Sequence, residues 1–173
     1  PLSKHFMVLG MQIFGDNAWG WRLPSVLFSL ANIYLVYLLS KQLFPKSQVP
    51  LLAAGLYSVE SLTFVQSRIG MNDTYMIFFA LFSLFALLRL KLPASMLSFG
   101  LALATKWSAI YLSPLLALII IFRNRRRLKL IPLIAGGYWL VAALVYLAVY
   151  LPFFFSGHTW KQFAELQQQM FWY

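Results

Sequence analysis

The charged residues with the most chemical potential lie in one short stretch, from Glu60 to Tyr75. The chain is 61% hydrophobic and has four acidic residues, yet this stretch contains two of them, Glu60 and Asp73, with Arg68 between them. A charged side chain at bilayer depth costs about 2.5–3.5 kcal/mol on insertion scales, so such residues usually line a cavity or a pathway. The alternative is a solvated loop between two membrane helices in which Arg68 pairs with Asp73. Charge alone leaves both interpretations open.

Three cations have the chemistry to bind a phosphate group together: Lys4, Arg68 and Lys106. Arginine binds phosphate with a planar fork of N–H donors, and lysine supplies a compact point charge. Each of the three lies beside the end of a predicted helix, where a phosphate at membrane level is within reach. The carboxylate of Asp73, five residues after Arg68, is suited to orient one of these cations. We therefore predict a phosphate site built from the three cations, with Asp73 in a supporting role.

No metal site is predicted from the sequence. The chain has no cysteine, and its two histidines, His5 and His158, are far apart and lack the spacing of metal ligands. The acidic residues form no recognisable ligand set, so no cofactor is certain and the use of a divalent metal stays open. A glycine-rich phosphate loop, an HExxH motif and a nucleophile elbow are also absent from the sequence.

The composition places the chain among polytopic helical membrane proteins. Of its 173 residues, 18% are aromatic and 10% are charged, and the mean hydropathy is +0.74. These values are far too apolar for a soluble domain of this length. The formal net charge of +10 would point to nucleic acid in a soluble protein. Here the basic residues flank apolar runs, which indicates membrane topology, and the expected partners are membrane lipids and not nucleic acid.

The apolar runs predict six membrane spans. A helix at the membrane interface over residues 1–14 and a turn over 15–17 precede them, and Trp19 and Trp21 lie just before the first span, where aromatic belts occur. Pro114 is expected to kink the fifth span. The spans cover about residues 23–44, 50–64, 74–90, 92–105, 107–122 and 130–151. We expect the whole of 1–173 to be a fragment of a single transmembrane domain, with external segments over residues 1–22 and 152–173.

Charges segregate to two sides when the chain crosses the membrane once per span. The first side collects nine of the fourteen basic residues and no acid: Lys41, Lys46, Arg89, Lys91, Arg123, Arg125, Arg126, Arg127 and Lys129. The second side collects five basic residues, all four acids and both histidines. By the positive-inside rule the first side is cytoplasmic. Without the short fourth span the cluster at 123–129 would lie outside, so the rule also favours six crossings and places the chemistry on the non-cytoplasmic face.

The last segment predicts an interfacial helix and not a seventh span. Thr159 and Gln162 have the spacing of a capping box. An apolar face then follows at helical spacing, and a second face carries polar and aromatic groups. One alternative is a surface helix with no catalytic part. We predict that five residues of this segment line a donor or acceptor cleft: His158, Glu165, Gln169, Trp172 and Tyr173.

Five blocks of the sequence resemble motifs of the protein O-mannosyltransferases. Pro1-Leu-Ser-Lys4 is similar to the end of the His-Pro-Pro-Leu-x-Lys signature, and Phe14–Ser25 resembles the segment after it. Gln66-Ser-Arg-Ile-x-x-x-Asp73 resembles the Gln-Ser-Arg motif of that family. Ala104–Ala109 and Ser156–Tyr173 are similar to two further blocks, and all five occur in the family's order. Any one block is weak evidence, whereas the five together make a strong resemblance.

The resemblance implies an all-α polytopic membrane protein with a GT-C-type transmembrane helical bundle and interfacial juxtamembrane helices. It implies transfer of a sugar, typically mannose, from a polyprenyl-phosphate donor to Ser or Thr hydroxyls of an acceptor protein outside the cytoplasm; a glycan is the acceptor partner if another lipid-linked sugar is transferred. The membrane would be the plasma membrane of a prokaryote or the endoplasmic reticulum of a eukaryote. The family's catalytic carboxylate is expected upstream of Pro1. Gly70-Met-Asn72 departs from the more apolar residues usual before the motif aspartate, which bears on the donor sugar.

Two other functions fit parts of the sequence. A related GT-C enzyme that transfers another lipid-linked sugar, such as aminoarabinose onto lipid A, would share the fold. The Lys-Trp-Ser block and the C-terminal block favour the mannosyltransferase. A transporter would also explain charge within the membrane, but it is expected to place polar residues near mid-span in broken helices. Here the polar residues cluster at helix ends on one face, which favours the enzyme.

Overall fold

The computed structural model describes residues 2–127 and 129–172, with side chains described for all of these except residues 171 and 172. The described residues form α-helices and one 3-10 helix and no strand, so the all-α class is confirmed. The helices are α1 (Leu2–Phe14), α2 (Ala18–Leu43), α3 (Val49–Val59), α4 (Ser61–Arg68), α5 (Asn72–Leu88), α6 (Leu92–Thr105), a 3-10 helix (Trp107–Leu112), α7 (Ser113–Arg123), α8 (Leu130–Val149), α9 (Leu151–Phe155) and α10 (Trp160–Trp172).

A tight turn joins α1 to α2 and begins the second helix earlier than the sequence predicts. Gly15 adopts a positive φ of 84°, and the Asn17 side chain accepts hydrogen bonds from the backbone N–H groups of Trp19 and Gly20. This N-cap starts α2 at Ala18. Trp19 and Trp21 therefore lie in the first turns of the helix, and the predicted external segment 1–22 contains the start of α2.

The predicted second span is bent, and the stretch from Glu60 to Tyr75 is largely helical. α3 and α4 meet at an angle of 57°. At the bend, the Glu60 carboxylate accepts hydrogen bonds from the backbone N–H groups of Leu62 at 3.0 Å and Thr63 at 2.6 Å. Because this carboxylate caps a new helix, the chain continues as α4 to Arg68. The interpretation of this stretch as a loop is therefore wrong.

A buried hydrogen-bond network ties α5, α6 and α8 together at one end of the bundle. The Ser83 hydroxyl donates to the Ser95 carbonyl at 2.8 Å, and the Ser95 hydroxyl donates to the Ser83 carbonyl at 2.7 Å. The Tyr138 hydroxyl lies 2.6 Å from the Ser95 hydroxyl. A core that includes Phe99 and Ile120 packs at the same level. Small polar side chains and their hydrogen bonds are a recurring way of joining membrane helices.

A second core lies toward the other end and includes α1. Leu2 is buried there with Phe79 and Ala102. The Phe6 ring stacks on Tyr75 with centroids 5.7 Å apart, and it lies 4.9 Å from the Phe28 ring. The first helix is therefore packed against the bundle through one face.

Two predicted features of the later spans differ from the structure. Pro114 is the second residue of α7, where the chain changes from a 3-10 to an α-helix, so it begins a helix and does not kink one. The last long helix continues past residue 151, because α9 follows Tyr150 directly and ends at Phe155. The polar segment therefore begins at Ser156 and not at Pro152.

The described part of the chain has two helices long and apolar enough to cross a membrane by themselves, Ala18–Leu43 and Leu130–Phe155. The α3 and α4 pair is a third if the two count as one broken span. The remaining apolar helices are Asn72–Leu88, Leu92–Thr105 and Trp107–Arg123. At 1.5 Å per residue, the 14 residues of α6 extend about 21 Å, less than a typical ~30 Å hydrocarbon core. Six crossings stay a prediction.

Polar contacts mark two opposite ends of the bundle. At one end, Arg89 donates to the Gln42 amide oxygen at 3.3 Å, and Arg123 donates to the Leu87 carbonyl at 3.3 Å. At the other end, the Ser3 hydroxyl donates to Asn72 Oδ1 at 2.7 Å. We call the end with Arg89 and Arg123 the basic end. We call the end with Ser3 and Asn72 the mixed end, because it holds both a basic and an acidic residue, Lys106 and Asp73.

Candidate functional site

An ion pair between Lys106 and Asp73 lies at the mixed end. Lys106 Nζ lies 2.7 Å from Asp73 Oδ1, and the lysine side chain is 44% exposed while that of Asp73 is 18% exposed. Asp73 is the second residue of α5, and Lys106 is the single extended residue between α6 and the 3-10 helix. The pair therefore joins two helix ends. A lysine has three N–H donors, and this contact uses one of them.

The start of α1 is held at the same corner. Ser3 is fully buried, and its hydroxyl donates to Asn72, the residue before Asp73. Lys4 follows Ser3 and is exposed. The fold thus brings the backbone of Lys4 near that of Asp73, although the two lie far apart in the sequence.

Arg68 lies elsewhere at this end and does not pair with Asp73. It is exposed at the last residue of α4, and its guanidinium carbon lies 5.6 Å from the centroid of the Phe64 ring. Among the described residues the one salt bridge is that of Asp73 with Lys106. The alternative in which Arg68 pairs with Asp73 is therefore wrong. The two Glu60 oxygens are occupied by the α4 cap, so Glu60 does not neutralise Arg68 either.

The predicted interfacial helix is present as α10. Its capping box forms, since the Thr159 N–H donates to Gln162 Oε1 at 2.8 Å and the Gln162 N–H donates to the Thr159 hydroxyl at 3.4 Å. Glu165 and Gln169 are exposed on it. Tyr173 and the side chain of Trp172 lie outside the described part of the structure, and their place in a cleft stays a prediction.

A cleft of about 420 Å³ lies between α1, α9 and α10 and brings the two histidines together. Its residues are His5, Val149, Tyr150, Pro152, Phe153, Ser156, His158, Leu166 and Met170. His158 Nδ1 lies 3.1 Å from the Phe153 carbonyl oxygen, and its ring stacks on the Phe153 ring at 4.2 Å. The size and the mainly apolar lining are typical of a ligand site.

Three residues that the sequence did not single out connect the mixed end to α10. The Trp107 indole N–H donates to the Tyr146 hydroxyl at 2.8 Å. The Tyr146 hydroxyl donates to Gln167 Oε1 at 2.5 Å. Trp107 follows Lys106 directly, and Gln167 lies in the C-terminal block. Trp107 and Gln167 lie in sequence blocks that resemble family motifs, which could have marked them as site residues. Nothing in the sequence indicated that Tyr146 connects them.

The described residues contain no group of three His, Cys, Asp or Glu side chains that would hold a metal ion. The cleft has two imidazoles and no carboxylate among its residues. The mixed end therefore presents a lysine held by a carboxylate, with an apolar cleft nearby.

Comparison with known proteins identifies the family. The family described as "Dolichyl-phosphate-mannose-protein mannosyltransferase" matches residues 1–155. A polyprenol-phosphate-mannose–protein mannosyltransferase of Corynebacterium glutamicum is 30% identical over 89 residues, covering 51% of this chain and 17% of the relative. Another from Mycobacterium tuberculosis is 25% identical over 141 residues, covering 64% of this chain and 27% of the relative.

A second kind of relative matches the whole chain. An undecaprenyl phosphate-alpha-4-amino-4-deoxy-L-arabinose arabinosyl transferase of Pseudomonas paraeruginosa is 30% identical over 186 aligned residues, covering 100% of this chain and 33% of the relative. The chain thus spans between about a sixth and a third of the length of these relatives. No solved structure matches. Because the family match covers residues 1–155, the chain belongs to the dolichyl-phosphate-mannose-protein mannosyltransferase family.

Proposed function

We propose that this chain is part of a glycosyltransferase that moves mannose from a polyprenyl-phosphate donor to Ser or Thr hydroxyls of proteins at the non-cytoplasmic face of a membrane. The observation that carries the proposal is the Lys106–Asp73 ion pair at the mixed end, in a member of this family. The donor is already activated by its phosphate. The enzyme must therefore neutralise the charge on the departing phosphate and supply a base for the hydroxyl.

Lys106 is suited to the first of these tasks. Its ammonium group is half exposed and is held by one carboxylate, so two N–H donors stay available for phosphate oxygens. Asp73 positions this ammonium. Lys4 and Arg68 supply further positive charge at the same end, with Arg68 offering the planar fork that matches a phosphate. The base for the hydroxyl is proposed upstream of Pro1.

The cleft beside this corner fits the lipid part of the donor. His5 follows Lys4, and five of the nine cleft residues are aliphatic, prolyl, phenylalanyl or methionyl side chains. An isoprenoid chain needs apolar contacts, and its phosphate needs donors at the rim, which His5 and His158 provide.

A second sugar is supported by a specific observation. The aminoarabinose transferase of Pseudomonas paraeruginosa aligns with the entire chain, including α10, whereas the family match ends at residue 155. The second candidate function is therefore transfer of aminoarabinose from undecaprenyl phosphate. Both candidates use a lipid phosphate as leaving group, so they share the roles proposed for Lys106 and Asp73.

The deciding experiment offers both donors to the full-length protein in vesicles. One reaction contains polyprenyl-phosphate-mannose with a Ser/Thr-rich peptide, and the other contains undecaprenyl-phosphate-aminoarabinose with lipid A. Mannosylated peptide supports the first function, and modified lipid A supports the second. Absence of both products from well-folded protein would contradict both candidates.

A further inference from the structure

The hydroxyl of Tyr146 connects two parts of the mixed end that no other described side-chain hydrogen bond joins. It accepts a hydrogen bond from the Trp107 indole at 2.8 Å and donates one to Gln167 at 2.5 Å. An indole N–H can only donate, and the Tyr146 hydroxyl lies 3.4 Å from the Tyr150 hydroxyl but 2.5 Å from the Gln167 amide oxygen, so its proton goes to the nearer amide oxygen. The chain of bonds therefore runs in one direction, from Trp107 through Tyr146 to α10.

This chain of bonds sets the register of α10 along the bundle. Other described contacts of α10 include pairs of aromatic rings, such as Tyr150 with Phe163 at 4.9 Å between centroids. Ring contacts tolerate sliding, whereas a hydrogen bond requires one residue at one place. A slip of one turn would present Phe163 or Phe171 to the Tyr146 hydroxyl, and neither side chain can accept its proton.

The same bonds fix the segment that carries Lys106. The backbone at Lys106 is extended, and the 3-10 helix begins with Trp107. Holding the Trp107 ring by its N–H therefore restrains the residue directly before it. Lys106 is thus restrained from two sides, by Asp73 through its ammonium group and by Tyr146 through its neighbour.

We propose that Tyr146 is a positioning residue that couples the phosphate-binding Lys106 to α10, with Gln167 as its partner on that helix. The proposal rests on the proposed function, in which Lys106 contacts the donor phosphate. Tyr146 itself contacts no substrate. Loss of its hydroxyl leaves both the Trp107 donor and the Gln167 acceptor without this partner, and loosens the lysine and the helix together.

The test uses Tyr146→Phe in the full-length protein, which keeps the ring and removes the hydroxyl. We expect the KM for the lipid-phosphate donor to rise about tenfold, with a smaller change in kcat and a protein that stays folded with a modestly lower unfolding temperature. Hydrogen exchange of the α10 backbone should become faster. Gln167→Leu removes the acceptor of the Tyr146 proton and should raise the donor KM. Gln167→Glu keeps an oxygen acceptor for that proton, so its donor KM should stay close to that of wild type. Gln168→Leu, at an exposed position of the same helix, is the matched control and should behave as wild type.

The double variant Tyr146→Phe with Gln167→Leu separates this coupling from general loosening. Because a single hydroxyl makes both bonds, the double variant should be no worse than Tyr146→Phe alone. Wild-type donor KM in Tyr146→Phe, or equal damage from Gln167→Glu and Gln167→Leu, would overturn the proposal. If the wild-type enzyme transfers neither sugar, the proposed function fails, and unchanged α10 exchange in Tyr146→Phe would separately show that Tyr146 does not hold this helix.

Discussion

The pairing of Lys106 with Asp73 is the residue-scale feature on which the proposed chemistry depends. The sequence predicted both as site residues, Lys106 to bind phosphate and Asp73 to support it, because charges are rare in this chain and both lie at helix ends. It did not predict that they pair, because the partners are 33 residues apart and nothing local distinguishes Lys106 from Arg68 as the partner of Asp73. Tyr146 and Gln167 were missed for a related reason: one polar group within an apolar helix gives no hint of its contact across the bundle.

Asp73→Asn tests the positioning role of the carboxylate. The ion pair is partly exposed, and such pairs contribute about 0–1 kcal/mol to stability, so the fold should persist. The ammonium group would lose its charged partner, and we expect the donor KM to rise several-fold. Donor kinetics and the unfolding temperature of the full-length protein measure the two effects. An unfolded variant, or one with wild-type donor KM, would contradict the assignment.

Arg68→Lys tests whether a planar fork is needed at the end of α4. The lysine keeps the positive charge but offers a point donor, so donor binding should weaken more than a conservative exchange implies. The comparison is the donor KM of Arg68→Lys with that of Arg22→Lys, an arginine of the same end that was not predicted to bind phosphate. Equal and unchanged values would remove Arg68 from the site.

At the scale of elements, the sequence predicted α6 to the residue and missed the bend between α3 and α4. Leu92 and Thr105 are bounded by Lys91 and Lys106, so the ends of the apolar run coincide with the ends of the helix. Glu60 lies inside a longer apolar run, where its charge was visible and its capping role was not. Whether a polar side chain folds back onto its own backbone depends on local geometry, which hydropathy does not report.

The crossing of α6 and α8 depends on Gly100. A Cβ at this residue would lie 2.9 Å from Val145 Cβ and 3.0 Å from Ala142 Cα. Gly100→Val would therefore force the two helices apart, and we expect it to destabilise the protein by about 1–3 kcal/mol. Gly136→Val is the matched control, since a Cβ there would meet nothing within 4 Å. Thermal unfolding in detergent compares them, and equal stability of the two variants would show that the crossing is looser than described.

At the scale of the whole molecule, the sequence predicted a basic end, and the structure holds Arg89 and Arg123 near the end of α5. Successive apolar helices carry the chain from one end of the bundle to the other. A hydrogen bond joins Arg89 to Gln42 at the basic end, and another joins Ser3 to Asn72 at the mixed end. The gathering of His5 and His158 at one cleft was not predictable. It depends on how α1 and α10 pack on the bundle, which spacing in the sequence does not determine.

The two ends should lie on opposite sides of the membrane. We expect Ser47→Cys, between α2 and α3 at the basic end, to react from the cytoplasmic side, and Lys161→Cys, on α10, to react from the other side. Both positions are exposed, so a thiol reagent can reach them. Labelling of intact cells with an impermeant thiol reagent distinguishes the sides, and reaction of both positions from one side would contradict this topology.

The central claim is that the mixed end binds the phosphate of a lipid-linked sugar through Lys106. The most direct measurement is the donor KM of the full-length enzyme for wild type, Lys106→Ala, Lys106→Arg and Lys46→Ala. Because a charge-assisted hydrogen bond is worth about 1.5–3 kcal/mol, we predict a rise of roughly ten- to a hundredfold for Lys106→Ala. Lys106→Arg should be partly active, and Lys46→Ala, at the basic end, should match wild type. A wild-type donor KM in Lys106→Ala, or an equal rise in Lys46→Ala, would contradict the claim.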